Sequence, residues 1–207
     1  MLINRTYRFE LRPNVEQRIL LAKHFGCVRY VYNNFLGQRK EQYKETGKSD
    51  NYYKQAPKLT KLKKQQDTSW LKEVNSQSLQ HALKNLDKAY KNFFEKRADY
   101  PRFKSKKAKQ SFHIPQNVDL LGSKLYIPKF KTGIKAIIHR PIKGQIRNAT
   151  ITKTTTGKYF VSILCLEEYT PLPKTVKSIG IDLGLKNFAI TSDGEKFKNH
   201  RYTKKYE

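Results

Sequence analysis

Residues 178–198 read SIGIDLGLKNFAITSDGEKFK. An apolar run, Ile179 to Ile181, leads into Asp182 and a turn at Gly184. A second run, Phe188 to Ile190, stops at Asp193-Gly194, and a third short segment follows. Runs of this kind broken by glycine turns predict strand, turn, strand, turn, strand. Asp182 is embedded in the first strand. A carboxylate is costly to bury unless it is paired or holds a metal. Two readings follow. One is a ligand for a divalent metal such as Mg²⁺, of the kind that activates water where carboxylates from separate strands converge in a nuclease site. The other is a turn aspartate capping the Gly184 loop.

Upstream of this stretch, residues 171–176 contain Pro171 and Pro173 and read as a linker. Before it the periodicity is that of strands from Ser111 onward. Val118 to Leu121, Lys124 to Ile127, Ile134 to Ile138, Gln145 to Thr154 and Lys158 to Leu166 are short β-branched or alternating runs. Turn signals at Gly122, Gly133, Gly144 and Gly157 separate them. Ile3, Arg5, Tyr7 and Phe9 alternate with polar neighbours in the same way, so the N-terminal strand can complete a small barrel or sheet. Between lie helices. Asn14 with Gln17 is a capping-box start, and Val15, Ile19, Ala22, Phe25, Val28, Tyr32 and Phe35 follow at helical spacing, as one long helix or as two with a break near Gly26. A short helix is predicted over Pro57 to Gln66. Asn75 or Ser76 caps the strongest one, Ser76 to Lys96, on which Leu79, Leu83, Leu86, Tyr90 and Phe93 recur every three or four residues.

The chain has 207 residues, with 43 Lys and Arg against 17 Asp and Glu, a net charge of +26. Such an excess repels itself unless a polyanion neutralises it, so nucleic acid is the expected partner. No apolar run approaches the roughly 20 residues of a membrane span, and MLINRTYRFEL has no signal-peptide core; a cytoplasmic protein is expected. Cys27 and Cys165 are far apart and outside any CxxC, so free buried thiols are expected and zinc is not. The segment Tyr100 to Lys109, YPRFKSKKAK, has little to bury and is predicted to be a loop that binds phosphate through Arg102, Lys104, Lys106 and Lys107. The lysines of the strongest helix, Lys84, Lys88 and Lys91, face either solvent or phosphate.

Several stretches together resemble the OrfB/TnpB proteins of insertion sequences, relatives of the type V CRISPR effectors. GIDLGLKNFAITSDG is similar to the first RuvC motif of that family. RFELRPNVEQ, FGCVRYVYNNFL, TSWLKEVNSQSLQHALKNLDKAYKNFF and PRFKSKK resemble its other stretches, in the same order. IGIDLG also resembles the first phosphate loop of actin and Hsp70 type ATPases. That loop needs small and hydroxylated residues after the glycine, where Leu185 and Lys186 stand here.

The OrfB/TnpB resemblance implies an α+β fold: a wedge β-barrel from residues 1–13 and 101–170, split by an inserted helical recognition lobe at 14–100. After the 171–176 linker come the first strands of a RuvC, ribonuclease-H-like domain at 177–207. It implies that Asp182 is catalytic, the first metal-binding acid of a Mg²⁺-dependent centre. It implies a guide RNA and double-stranded target DNA as partners of a monomer, in an RNA-guided endonuclease historically named a transposase. Family members read a short motif beside the DNA target, and Tyr52, Gln80, Gln116 and Asn117 fall in the stretches that do so. The later RuvC acids and the zinc-binding cysteine pairs are expected beyond residue 207. With one carboxylate of a two-metal site, this chain is expected to bind nucleic acid without cutting it. The alternative is a naturally truncated, non-catalytic RNA-guided DNA-binding protein acting as a repressor.

Overall fold

The computed structural model describes residues 1–173 and 176–202, and the chain divides into two compact units, Met1–Tyr169 and Thr170–Glu207. The predicted linker and tail thus fall partly outside the described residues, at Lys174, Thr175 and residues 203–207.

The first unit opens with β1 (Leu2–Arg12), whose alternation points Tyr7, Phe9 and Leu11 inward. Helix α1 (Val15–Thr46) follows, and the capping box is present: the Asn14 side chain accepts from Gln17 N–H while the Gln17 side chain accepts from Asn14 N–H. This satisfies two of the donors that a helix start leaves open. The helix runs through Gly26 without a break and ends at Gly47, in the left-handed conformation at φ 66° that glycine adopts without strain. Its buried stripe, from Leu21 through Phe25, Val28, Val31, Phe35 and Leu36, is wide enough to serve both α3 and β2.

Helix α2 (Tyr52–Leu62) begins five residues before the predicted start. Asn51 caps it through Lys54 N–H, and buried Gln55 donates to Phe35 O at 3.2 Å. Pro57, read as a first helical residue, sits inside the helix on its exposed side. A 3-10 segment (Gln66–Glu73) that the periodicity did not signal leads to α3 (Ser76–Phe94). Asn75 is the α3 cap, accepting from Gln77 N–H at 3.1 Å, and Leu79, Leu83, Leu86 and Tyr90 are buried as predicted.

Seven strands form one antiparallel sheet: β2 (Gln110–Ile114), β3 (Asp119–Leu121), β4 (Lys124–Tyr126), β5 (Ile134–Ile137), β6 (Gln145–Lys153) and β7 (Tyr159–Glu168) together with β1, in the order β2-β6-β7-β1-β5-β4-β3. β1 is therefore central. The expected barrel is corrected to a curled half-barrel, because β2 and β3 are the two edges and do not pair with each other. β2 was missed by the sequence reading. Register aligns the inner face in rows, Ile151 opposite Val161 opposite Phe9, and Ala149 opposite Ile163 opposite Tyr7. Such cross-strand neighbours are the unit of sheet stability. Helices and sheet share one apolar core, into which Cys27 and Cys165 are buried as free thiols. A buried carboxylate, Glu167, accepts from the Tyr7 hydroxyl and pairs with Arg5 at 3.2 Å, which offsets its desolvation.

The second unit holds three short antiparallel strands, β8 (Ile181–Asp182), β9 (Asn187–Thr191) and β10 (Lys196–Lys198), in the order β10-β9-β8. The strand-turn-strand-turn-strand pattern is present. The Asp193-Gly194 turn closes with Gly194 N–H donating to Thr191 O at 2.9 Å.

Candidate nucleic-acid interface

The basic segment Tyr100 to Lys109 is a loop without regular structure, yet it is anchored along its length. Asn33 of α1 clamps the backbone of Lys104 in both directions, Nδ2 to the carbonyl at 3.0 Å and Oδ1 from the N–H at 2.8 Å. The Tyr100 hydroxyl meets that of Tyr90 at 3.1 Å, and its ring packs edge-on against Phe93. The Lys40 ammonium lies over both Phe103, at 4.7 Å, and Tyr100, at 5.2 Å. These contacts anchor a segment that buries little, as expected: Pro101 is its one buried residue and the other nine are exposed.

All four predicted phosphate ligands are exposed, Arg102 in an ion pair with Asp99 at 3.2 Å. Lys104 alone also packs on an aromatic ring: its ammonium sits 4.1 Å over that of Tyr32, and the partial desolvation this brings lowers its pKa. A partly desolvated cation interacts more strongly with a phosphate than a hydrated one.

Lysines from two elements converge near α3. His81 of α3 stacks on His113 of β2 with ring centroids 4.0 Å apart. The His81 pKa is pushed down to about 4, first by burial and then by His113, Lys84, Lys104 and Lys88. The pair is therefore uncharged at neutral pH, a flat surface ringed by cations. Ser78 Oγ donates to His113 O at 2.7 Å and locks β2 against α3. No sequence signal predicted this pair, because the two histidines are 32 residues apart and meet only through tertiary packing.

Among the predicted motif-reading residues, Tyr52 stands at the first turn of α2. Its N–H donates to Asp87 at 3.1 Å, and Lys84 lies 5.5 Å from its ring. Gln80 is exposed one turn before Lys84 on the same face of α3. Gln116 and Asn117 are exposed in the connection after β2, with Asn117 at φ 59°, a left-handed position that asparagine tolerates. Tyr52 and the Gln80 face thus share a neighbour in Lys84, while no hydrogen bond joins any of the four to another among the described residues.

Asp182, in the second unit, is exposed, which corrects the expectation of an embedded carboxylate. Its strand is two residues long and pairs on one side only, opposite Ile190, too little structure to cover a side chain. Among the described residues its carboxylate accepts no hydrogen bond and meets no cation, so the capping reading gains nothing either. No group of three or more His, Cys, Asp or Glu among the described residues could hold a metal ion.

Comparison with known proteins adds the following. Residues 1–48 match the helix-turn-helix domain model named for OrfB of IS605. Here those residues fold as β1 and one unbroken helix of 32 residues, with no turn between helices. The chain is 35% identical over 195 residues to the Escherichia coli (strain K12) protein named "Putative RNA-guided DNA endonuclease InsQ", covering 93% of this chain and 48% of that protein. It is 32% identical over 207 residues to a Streptomyces pristinaespiralis protein named "Putative RNA-guided DNA endonuclease", covering 98% and 52%. It is 38% identical over 106 residues to "Virulence protein VsdF" of Salmonella dublin, covering 47% of this chain and 89% of that one. The chain spans about half the length of the first two relatives. No described helix is long and apolar enough to cross a membrane.

Proposed function

The chain belongs to the OrfB/TnpB family of insertion-sequence proteins, and from that premise we propose that it is the nucleic-acid-binding portion of an RNA-guided DNA endonuclease, holding a guide RNA and a target duplex. The observation that carries this reading is the extent of the similarity. It runs through 93% and 98% of the chain in two proteins so named, and therefore includes the anchored basic segment and the lysine-bearing face of α3. In this function guide pairing selects the target, and the protein contacts backbone, shape and a short adjacent motif. Arg102, Lys104, Lys106 and Lys107 bind phosphate. Tyr52, Gln80, Gln116 and Asn117 read the motif, amide and hydroxyl groups being suited to base edges.

Asp182 is the first acid of a RuvC centre whose other ligands are not assembled among the described residues. When bound in a complete site, Mg²⁺ would activate water and stabilise the leaving oxygen. This chain alone binds without cleaving, because a lone exposed carboxylate cannot fix two ions in geometry. Incubation with a guide, a matched duplex and Mg²⁺ is expected to leave the duplex intact, and specific cuts overturn this part.

The deciding experiment is to purify the protein from its host and sequence the RNA that accompanies it. One abundant species mapping to the end of its own transposon supports guide binding. Unrelated RNA in its place refutes it. Affinity for the duplex is expected to fall ~10³–10⁵-fold between 50 and 200 mM salt if about 6–10 phosphates are contacted.

A further inference from the structure

Between α1 and the 3-10 segment lies a shallow groove of about 380 Å³, lined by Lys23, Gly26, Arg29 and Tyr30 of α1 and by Trp70 and Glu73 of the 3-10 segment. That volume is in the range of small-ligand sites. The Tyr30 and Trp70 rings meet edge to face, with centroids 5.0 Å apart and planes at 67°, and so make a corner. Rings at that angle offer a planar ligand one face to stack on and one edge to abut. The indole N–H donates to Asp67 O at 2.9 Å, which fixes the ring, while 38% of Trp70 stays exposed.

Gly26 keeps this groove open. It sits in the middle of α1, where glycine is the least favourable residue after proline. Neither usual reason for a glycine applies: its φ is not positive, and a Cβ there would meet no atom within 4 Å. The space that a side chain would take is left to the groove it lines. Glu73 is paired with Lys23, whereas Arg29 makes no ion pair among the described residues. Arg29 also ties the groove to the basic segment: its Nη1 donates to Gln110 Oε1 at 2.8 Å, and Gln110 Nε2 donates to Lys106 O at 3.2 Å. A fixed aromatic corner beside an unpaired guanidinium, with its carboxylate already neutralised, suits a planar ring that carries negative charge. A nucleotide has that chemistry, and every base has a π-face to stack.

We propose that this groove is a base-stacking site that takes one unpaired nucleobase of a single-stranded nucleic acid, with Trp70 as the stacking surface, Tyr30 at its edge and Arg29 on the adjoining phosphate. The proposal rests on the nucleic-acid-binding reading above. It adds a contact to the face of a base, outside both the basic segment of residues 100–109 and the motif-reading residues. The strand is RNA or DNA, and the probes of the test distinguish them.

Trp70 is the one tryptophan in the chain, so tryptophan emission reports on this groove alone. The test titrates the parent chain and Gly26→Leu with end-labelled single-stranded RNA, single-stranded DNA and duplex DNA, each about 15 nucleotides or base pairs long, the upper end of single-strand site sizes. Anisotropy of the label reads binding, and Trp70 emission reads stacking. Leucine suits a helix interior better than glycine, so Gly26→Leu is expected to keep or raise the thermal midpoint while its side chain fills the groove. In the parent, one or both single strands are expected to quench Trp70 emission, and the duplex, whose bases already stack on each other, is not. In Gly26→Leu the quenching is expected to be lost and single-strand affinity to fall at least about fivefold, the low end of what one stacked base contributes. The single strand that quenches identifies the source of the base. Bound single strands that leave Trp70 emission unchanged, equal quenching by the duplex, or parental quenching in Gly26→Leu overturn the site while leaving the nucleic-acid reading standing. A parent chain that binds none of the probes removes both.

Discussion

The two units of this protein treat the same kind of strand in opposite ways. In the first, β1, β6 and β7 alternate inward and outward, and the inward residues of their central rows pair across strands and lie in one apolar core with the helices. In the second, β8, β9 and β10 carry equally apolar residues, yet Ile181, Phe188 and Phe197 are exposed, and only Ala189 and Thr191 are buried. The difference is not β-propensity. A strand buries its apolar face only against a second layer, and the described residues of the second unit offer none. The two units' carboxylates follow the same rule. Glu167 is buried with a hydroxyl and a guanidinium beside it, whereas Asp182 is exposed and has no hydrogen bond or ion pair among the described residues.

The contrast can be broken most sharply by deletion of apolar side chains. Leu83→Ala in α3, at a fully buried position, is expected to cost about 2–5 kcal/mol in urea unfolding. Phe188→Ala, 62% exposed, is expected to change stability by no more than about 0.5 kcal/mol. A comparable loss from Phe188→Ala would mean that the second unit has a cover of its own. Glycines sharpen the same point. A Cβ on Gly144 would come 2.2 Å from Leu166 O at φ 76°, so Gly144→Ala is expected to cost about 2 kcal/mol or more. Gly194 has a similar φ of 85° but open space around it, and its alanine variant should cost only the backbone strain, about 1 kcal/mol.

Removing the partner of a buried carboxylate ranks next. Tyr7→Phe takes a donor from Glu167 and is expected to destabilise by about 1–3 kcal/mol, while Asp182→Asn should leave the thermal midpoint unchanged. A stabilising Asp182→Asn would instead reveal repulsion from another carboxylate. The smallest effect concerns pH. The folded-state pKa of His81 lies below its unfolded value, so the unfolded chain takes up the proton first. Stability is therefore full above about 6.5 and declines as pH falls toward about 4. His81→Gln should flatten part of that decline in urea midpoints measured from pH 7 to pH 4. An unaltered slope would place the titration elsewhere.

Local signals were legible where one short stretch contains both the cause and the consequence. The capping box of Asn14 and Gln17, the apolar stripe of α3 and the strands β6 and β7 were all readable. α2 was misplaced because Pro57 is a strong start signal, while the true cap, Asn51, is held in place by Gln55 reaching across to α1. β2 was missed because its five residues pair with β6 and pack on α3, and neither partner is local. The basic segment was recognised by charge, but its anchoring by Asn33 was not, since an amide in the middle of a helix carries no mark of what it will clamp 71 residues away.

By itself the sequence determined the elements, the basic character and, through a chain of short motifs in order, the family. Those depend on periodicity, turn chemistry and charge, which are properties of neighbouring residues. Only the tertiary structure decided that the barrel stays open, that β1 lies at its centre, that His81 and His113 stack beneath converging lysines, and that Asp182 stands in solvent. Each of these is set by which distant surface covers which, and burial is a property of the packed chain rather than of any stretch within it.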